Sequence, residues 1–183
     1  MVPAGYMAKR VVARPEWLGA ARVDSIYSVS GCISQYFADY IDFWQHNGYW
    51  LFDSPEIIVD IARKNSINLA ETMLFFYEVH ERQFLSGKWT SFEPEPSIST
   101  HVSVPEAMAL EGFDVVNFTA QTSPECSPLS CNALASEVET NERCLLRSFE
   151  QARTLLERGV FNHSEPGPYR IFAVHSVPWT GGA

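Results

Sequence analysis

Apolar positions recur along this chain in two rhythms, one of about 3.6 residues and one of two, and the switches between them mark the predicted elements. From Ser34 to Gly48, SQYFADYIDFWQHNG puts Tyr36, Phe37, Tyr40, Ile41 and Trp44 on one helical stripe. Asp39, Asp42 and His46 lie off that stripe, and Gly48 stops the helix. DSPE announces a second helix, with Ser54 as N-cap, Pro55 in the first helical position and Glu56 in the first turn. Its apolar stripe is Ile57, Ile58 and Ile61. SFEQARTLLERG predicts another: Ser148 and Gln151 have the spacing of a capping box, and Gly159 closes the helix. A further helix is expected to start at Ser127-Pro128 and run toward Val138, and a short one to cover residues 15–21.

The two-residue rhythm dominates from Thr72 to Phe84, which reads as one long strand, and Ser86-Gly87 turns it into a hairpin with Lys88 to Phe92. Shorter strands are expected at Ser25–Val29, His101–Val104, Phe113–Ala120, Arg143–Arg147 and Tyr169–Val177. Residues 1–14 show neither rhythm and are expected to form a flexible tail ahead of one globular domain spanning 15–183. No segment repeats at a fixed period. The hairpin and short links favour antiparallel pairing, so the expected class is α+β: a mainly antiparallel or mixed sheet of about five to seven strands with about four helices.

Charge narrows the partners. The chain has 183 residues, 22 of them acidic and 13 basic, for a formal net charge of -9. Such a field repels phosphate backbones and anionic headgroups, so neither nucleic acid nor a membrane surface is an expected partner. The stretch MVPAGYMAKRVVARPEW has only short apolar runs broken by charges, unlike a signal peptide, and a cytoplasmic location is expected. Cys32, Cys126, Cys131 and Cys144 are then expected to be reduced.

The segment SPECSPLSCN, Ser123 to Asn132, carries the clearest candidate chemistry. If a helix begins at Ser127-Pro128, Cys126 lies just before its N-terminus, where unpaired amides lower a thiol pKa, and Cys131 one turn inside. A disulfide between these two is poorly placed if both are helical. The competing reading makes both small buried core residues, in line with the usual burial of free cysteine. No metal or cofactor is expected: tetrahedral zinc usually recruits two close-spaced pairs, and the second pair is missing. On the long strand, Glu78, His80 and Arg82 share one face, which makes His80 a candidate base and, equally, part of a solvated face. His175 shares a face with Ile171, Ala173 and Val177 and reads as a core histidine.

Of the 12 Phe, 7 Tyr and 5 Trp, eight fall between Tyr36 and Phe52, more than one helical stripe can bury. Phe43, Tyr49 and Trp50, flanked by Asp39, Asp42 and Asp53, therefore form a candidate binding face. The functional expectation is an acidic binding or regulatory module of the inhibitor, antidote or adaptor type, docking a basic protein. The alternatives are a thiol-dependent enzyme using Cys126 or Cys131 with His80, and an aromatic pocket for a small molecule.

Overall fold

The computed structural model describes residues 1–38, 46–92, 100–118 and 125–179. Its frame is a seven-stranded sheet whose pairings are all antiparallel. The expected tail is a correction: Val2–Arg10 forms β1, and every residue from Ala4 to Lys9 is buried. A strand covered on both faces has no polar alternation, so nothing in its pattern marks it as a strand.

After β1 come β2 (Val12–Ala13) and β3 (Ser25–Ile26), a separate two-stranded ribbon, and then β4 (Gln35–Tyr36), which pairs with β1. Tyr36 is thus a strand residue, the ends of the helix expected over residues 34–48 are not helical, and its centre, residues 39–45, lies outside the described residues. Helix α1 (Pro55–Lys64) leads to β5 (Met73–Val79). The predicted long strand is broken at His80: β5 pairs with β1 and β9, whereas β6 (Arg82–Leu85) pairs with β7 (Lys88–Ser91). Ser86 and Gly87 both have positive φ, 50° and 78°, the geometry of a type I′ hairpin turn. Strand β8 (Ala109–Asn117) runs along the other edge of β9 (Tyr169–Val177).

The described residues hold three α-helices rather than about four. Helix α2 (Pro128–Cys131) lasts one turn, because Ala133 adopts a left-handed φ of 57° and only a 3-10 turn, Leu134–Ser136, follows. Residues 15–21 give a 3-10 turn at Glu16–Leu18. Arg143–Arg147 supplies an isolated bridge, Leu146 to Phe113, and His101–Val104 forms no strand. Helix α3 (Phe149–Glu157) is capped as expected by Ser148, whose Oγ accepts from Gln151 N at 3.1 Å. The Gln151 side chain reaches back one residue further than a capping box requires, to Arg147 N at 2.8 Å.

The sheet also reveals a repeat that the sequence conceals. Strand β1 carries a bulge at Gly5 and β8 one at Gly112, with φ of 139° and 149°. Against each bulge folds a turn built on an asparagine. Asn47 Oδ1 accepts from the amides of Tyr49 and Leu51, and its Nδ2 donates to Ala4 O at 2.7 Å. Asn141 Oδ1 accepts from Arg143 and Leu145, and its Nδ2 donates to Glu111 O, also at 2.7 Å. The third residue after each asparagine, Trp50 or Cys144, has positive φ, and each turn bridges back to the strand, Phe52 to Tyr6 and Leu146 to Phe113. Ser54 and Ser148 then begin α1 and α3, which lead to β5 and β9. The two units meet where β5 pairs with β9, and Tyr77 faces Val174 at the centre of that pairing. Tyr77 pairs with Gly5 on its other side and Val174 with Gly112, so the registers of the two units correspond.

Each helix seals its own part of the core, α1 through Ile58 and Ala62, α3 through Ala152 and Leu156. Between them, β9 carries the fully buried Arg170. Its guanidinium carbon lies 3.7 Å from the Phe92 ring centroid, Nη2 donates to His80 O at 2.6 Å, and burial lowers its pKa to about 10.

The bulges set a stability test. A Cβ at Gly5 would lie 2.7 Å from Leu51 Cβ and 2.8 Å from Phe52 O; at Gly112 it would lie 2.8 Å from both Leu145 Cβ and Leu146 O. Gly5→Ala and Gly112→Ala are each expected to cost more than about 3 kcal/mol in denaturant unfolding, since strain and backbone collision add. Gly87→Ala is the control: its φ is also positive, but nothing lies within 4 Å, and about 1–2 kcal/mol of backbone strain is expected.

Candidate functional site

Cys126 and Cys131 stand at the two ends of the short turn around α2. Cys126 is tied to the end of β8, its amide donating to Asn117 Oδ1 at 2.6 Å and its carbonyl accepting from Asn117 N at 2.9 Å. Ser127 O accepts from Ser130 N and Cys131 N, which curls the chain back. A third cysteine, Cys32, arrives from the bend after β3. The sulfurs of Cys32, Cys126 and Cys131 all lie within 4.8 Å of one another.

Two buried charges hold this convergence together. Lys9, from β1, sends its ammonium to the carbonyls of Ser28, Val29 and Ser30, at 2.5, 3.3 and 2.5 Å. It also sits 4.6 Å from the Tyr36 ring centroid, and the Tyr36 hydroxyl donates to Val29 O. Asp114, from β8, accepts from Val29 N at 2.8 Å through one carboxyl oxygen and from Ser127 Oγ at 2.5 Å through the other. One carboxyl group thus ties the loop that carries Cys32 to the turn that carries Cys126 and Cys131. Burial pushes the Asp114 pKa up to about 7, against the downward pull of the Ser127 and Val29 hydrogen bonds.

The sulfurs differ in surroundings. Cys126 is buried and donates to Asn132 Oδ1 at 3.5 Å; Cys131 is half-buried, with Ser30 Oγ at 3.7 Å and Ser130 Oγ at 3.9 Å. Cys32 is exposed and lies 3.0 Å from Glu125 O. The three thiols titrate as a set. Hydrogen bonds from the Cys126 and Cys131 thiols, reinforced by Ser30 and the charge on Lys9, hold the Cys32 thiol well below the ordinary range. Cys126 is pushed up because it donates to Cys131 and Cys32 and is partly desolvated. At Cys131 the hydrogen bond from Cys126 pulls down, but that to Cys32 and burial outweigh it, and the net shift is upward. The cluster therefore gives up one proton readily and resists losing the others, because further thiolates would repel the first.

A metal cation removes that resistance, and the donors suit one. Tetrahedral zinc with bonds of about 2.3 Å to sulfur sets sulfurs roughly 3.8 Å apart, inside the observed limit. Thiolates select soft ions, not Mg2+ or Ca2+. Among the described residues, no imidazole nitrogen or carboxylate oxygen joins the three sulfurs within the same distance. Expecting no metal from the sequence depended on local spacing. Cys32 is remote in the chain, and only the contacts of Lys9 and Asp114, two charged residues inside strands, could have signalled its return.

The other candidates fall elsewhere. His80 packs edge-on against Trp89 and Phe149, with ring centroids 5.3 and 5.0 Å away, and burial, helped by nearby positive charge, lowers its pKa. His175, expected in the core, is buried with Nε2 3.0 Å from Glu78 Oε2. Asp39, Asp42 and Phe43 lie outside the described residues. Tyr49 stacks on Phe92, Trp50 stacks on His46 at 3.8 Å, and Asp53 accepts from Asn47 Nδ2 and His101 N. A cleft of about 430 Å3 lined by Tyr6, Glu56, Leu74, Val104, Glu106 and Val177 contains none of the three cysteines. No helix among the described residues is long and apolar enough to cross a membrane.

The Asp114 clamp predicts a pH dependence. Its folded pKa, about 7, lies above the 3.8 of a free aspartate, so its contribution to stability is full below the lower value and is lost as pH rises through the upper one. Between those values wild-type stability is expected to fall relative to Asp114→Asn, with a slope of up to about 1.4 kcal/mol per pH unit. Urea unfolding of both proteins across that range checks it, and parallel curves would show that Asp114 titrates normally.

Comparison with protein-family models, with curated proteins and with solved structures finds no match to this chain.

Proposed function

We propose that the chain binds a soft metal ion through Cys32, Cys126 and Cys131. The observation that carries this reading is the convergence of three sulfurs within 4.8 Å from two separate parts of the chain. Three thiols packed together gain little as core residues, whereas an ion converts their mutual repulsion into three bonds. The surrounding hydroxyls fit the role: Ser30 and Ser130, beside Cys131, can donate to a thiolate there and so fix a ligand sulfur from outside.

A thiol-dependent enzyme is the second reading, and the readily ionised Cys32 favours it, with Cys32 rather than Cys126 as nucleophile. The base that reading calls on, His80, stands edge-on to Trp89 and Phe149. The net charge of -9 supports docking of a basic protein as a separate role, carried by the surface as a whole.

Titration of the reduced protein with Co2+ tests the metal reading. One ion per chain is expected, with an intense sulfur-to-cobalt charge-transfer band that added Zn2+ abolishes. Cys126→Ser is expected to lose the band, and Cys144→Ser, which changes a cysteine outside the cluster, to keep it. Absence of the band in wild-type protein, with rapid alkylation of Cys32 whether or not Zn2+ is present, would reject metal binding in favour of the thiol reading.

A further inference from the structure

Resting on the metal reading, we propose that the ion is monovalent copper, held by three thiolates and passed through Cys32 to an acceptor thiolate on a partner. The donor count comes first. The three sulfurs have no imidazole or carboxylate beside them among the described residues. Structural zinc closes its shell with four strong ligands; Cu+ is a softer ion, satisfied by two or three thiolates, that gains little from a neutral oxygen. The side-chain oxygens bonded to these sulfurs are of that weak kind, the amide of Asn132 and the hydroxyls of Ser30 and Ser130.

Burial then gives the site a direction. Cys126 is 8% exposed and fixed by two hydrogen bonds to Asn117, and Cys131 belongs to α2. Cys32 is exposed and lies in a bend outside any strand or helix, just beyond the carbonyls held by Lys9. It is therefore the ligand that can leave without disturbing the sheet. Handover is stepwise ligand exchange: one acceptor thiolate forms a Cu–S bond as the bond from copper to Cys32 Sγ breaks, the second acceptor thiolate then displaces Cys126 and Cys131, and the protons of the acceptor thiols pass to solvent or to the released cysteines. Copper stays monovalent throughout, so no oxidant or reductant is consumed. The acceptor is a partner with an exposed pair of cysteines, and the chain's charge of -9 favours one with a basic surface.

The test loads the reduced, full-length chain anaerobically with Cu+ from its bicinchoninate complex. X-ray absorption then reads the first coordination shell. A synthetic Cys-x-x-Cys peptide serves as acceptor, and the copper it takes up is followed against time. Three sulfur neighbours and no oxygen or nitrogen are expected. Cys32→Ser and Cys32→Ala, substitutions at an exposed position, are expected to keep the far-ultraviolet spectrum of the wild type, to hold copper on two sulfurs and to transfer it about tenfold more slowly, because only poorly accessible ligands remain for attack. Equal transfer rates in wild type and variants would overturn handover through Cys32. A four-coordinate Zn2+ form that persists against equimolar Cu+ would overturn the copper assignment while keeping the metal site. Failure to bind Cu+, Zn2+ and Co2+ alike would remove the metal reading itself.

Discussion

The site depends on a buried carboxyl group. Asp114 stands inside β8 among apolar neighbours and meets the amide of Val29 and the hydroxyl of Ser127, which belong to segments far apart in the chain. Taking a carboxyl group out of water is costly unless hydrogen bonds replace the lost hydration, and here the replacements come from the two cysteine-bearing segments themselves. Lys9 acts in the same way from β1: its ammonium recovers its hydration from three consecutive carbonyls and so bends residues 28–30 around itself. Each charge would be a defect in its strand if its loop let go. Folding of the sheet and convergence of the sulfurs are thereby coupled.

The repeated unit explains where such a site can arise. In each unit a bulged strand, an asparagine turn, a capped helix and a second strand form the rigid part, and the geometry around Gly5 and Asn47 recurs around Gly112 and Asn141. What differs is the connection between the bulged strand and the asparagine turn. In the first unit it contains the β2–β3 ribbon, the Cys32 bend and β4; in the second it contains Cys126, α2 and Cys131. The scaffold is duplicated and the chemistry is not. The three sulfurs come from the two unlike connections, so candidate function sits on loops positioned by a rigid sheet.

Elements with a strong local signal were legible in the sequence. Ser148 and Gln151 announce α3, Ser54 and Pro55 announce α1, and the Ser86-Gly87 hairpin follows from turn chemistry. Where burial on both faces erases alternation the signal disappears, as in β1, and there a lysine at position 9 argues for a surface that does not exist. The extent of α2 was also hidden, because a left-handed Ala133 is no usual helix stop. The repeat escaped because its markers are two glycines and two asparagines with different neighbours, NGYWLF in one unit and NERCLL in the other. Two of the three cluster cysteines, Cys126 and Cys131, were visible. Cys32 was not, since its approach is decided by long-range hydrogen bonds to Lys9 and Asp114.

Cys144 shows what the sulfur cluster is not. It too sits at a turn and is almost wholly buried, in the core sealed by α3, and it makes no sulfur contact within the cluster. Burial, with smaller contributions from the charges of Asp114 and Cys131, pushes its pKa up to about 12, the behaviour of a thiol used as a small apolar side chain. Had Cys32, Cys126 and Cys131 been recruited for packing, the same environment would have served them. Instead they face one another across a site with one exposed member, and hydroxyl and amide groups approach their sulfurs where a core would place methyl groups. Two kinds of cysteine therefore coexist in one chain, and the polar contacts of the clustered kind fit ligands far better than filler.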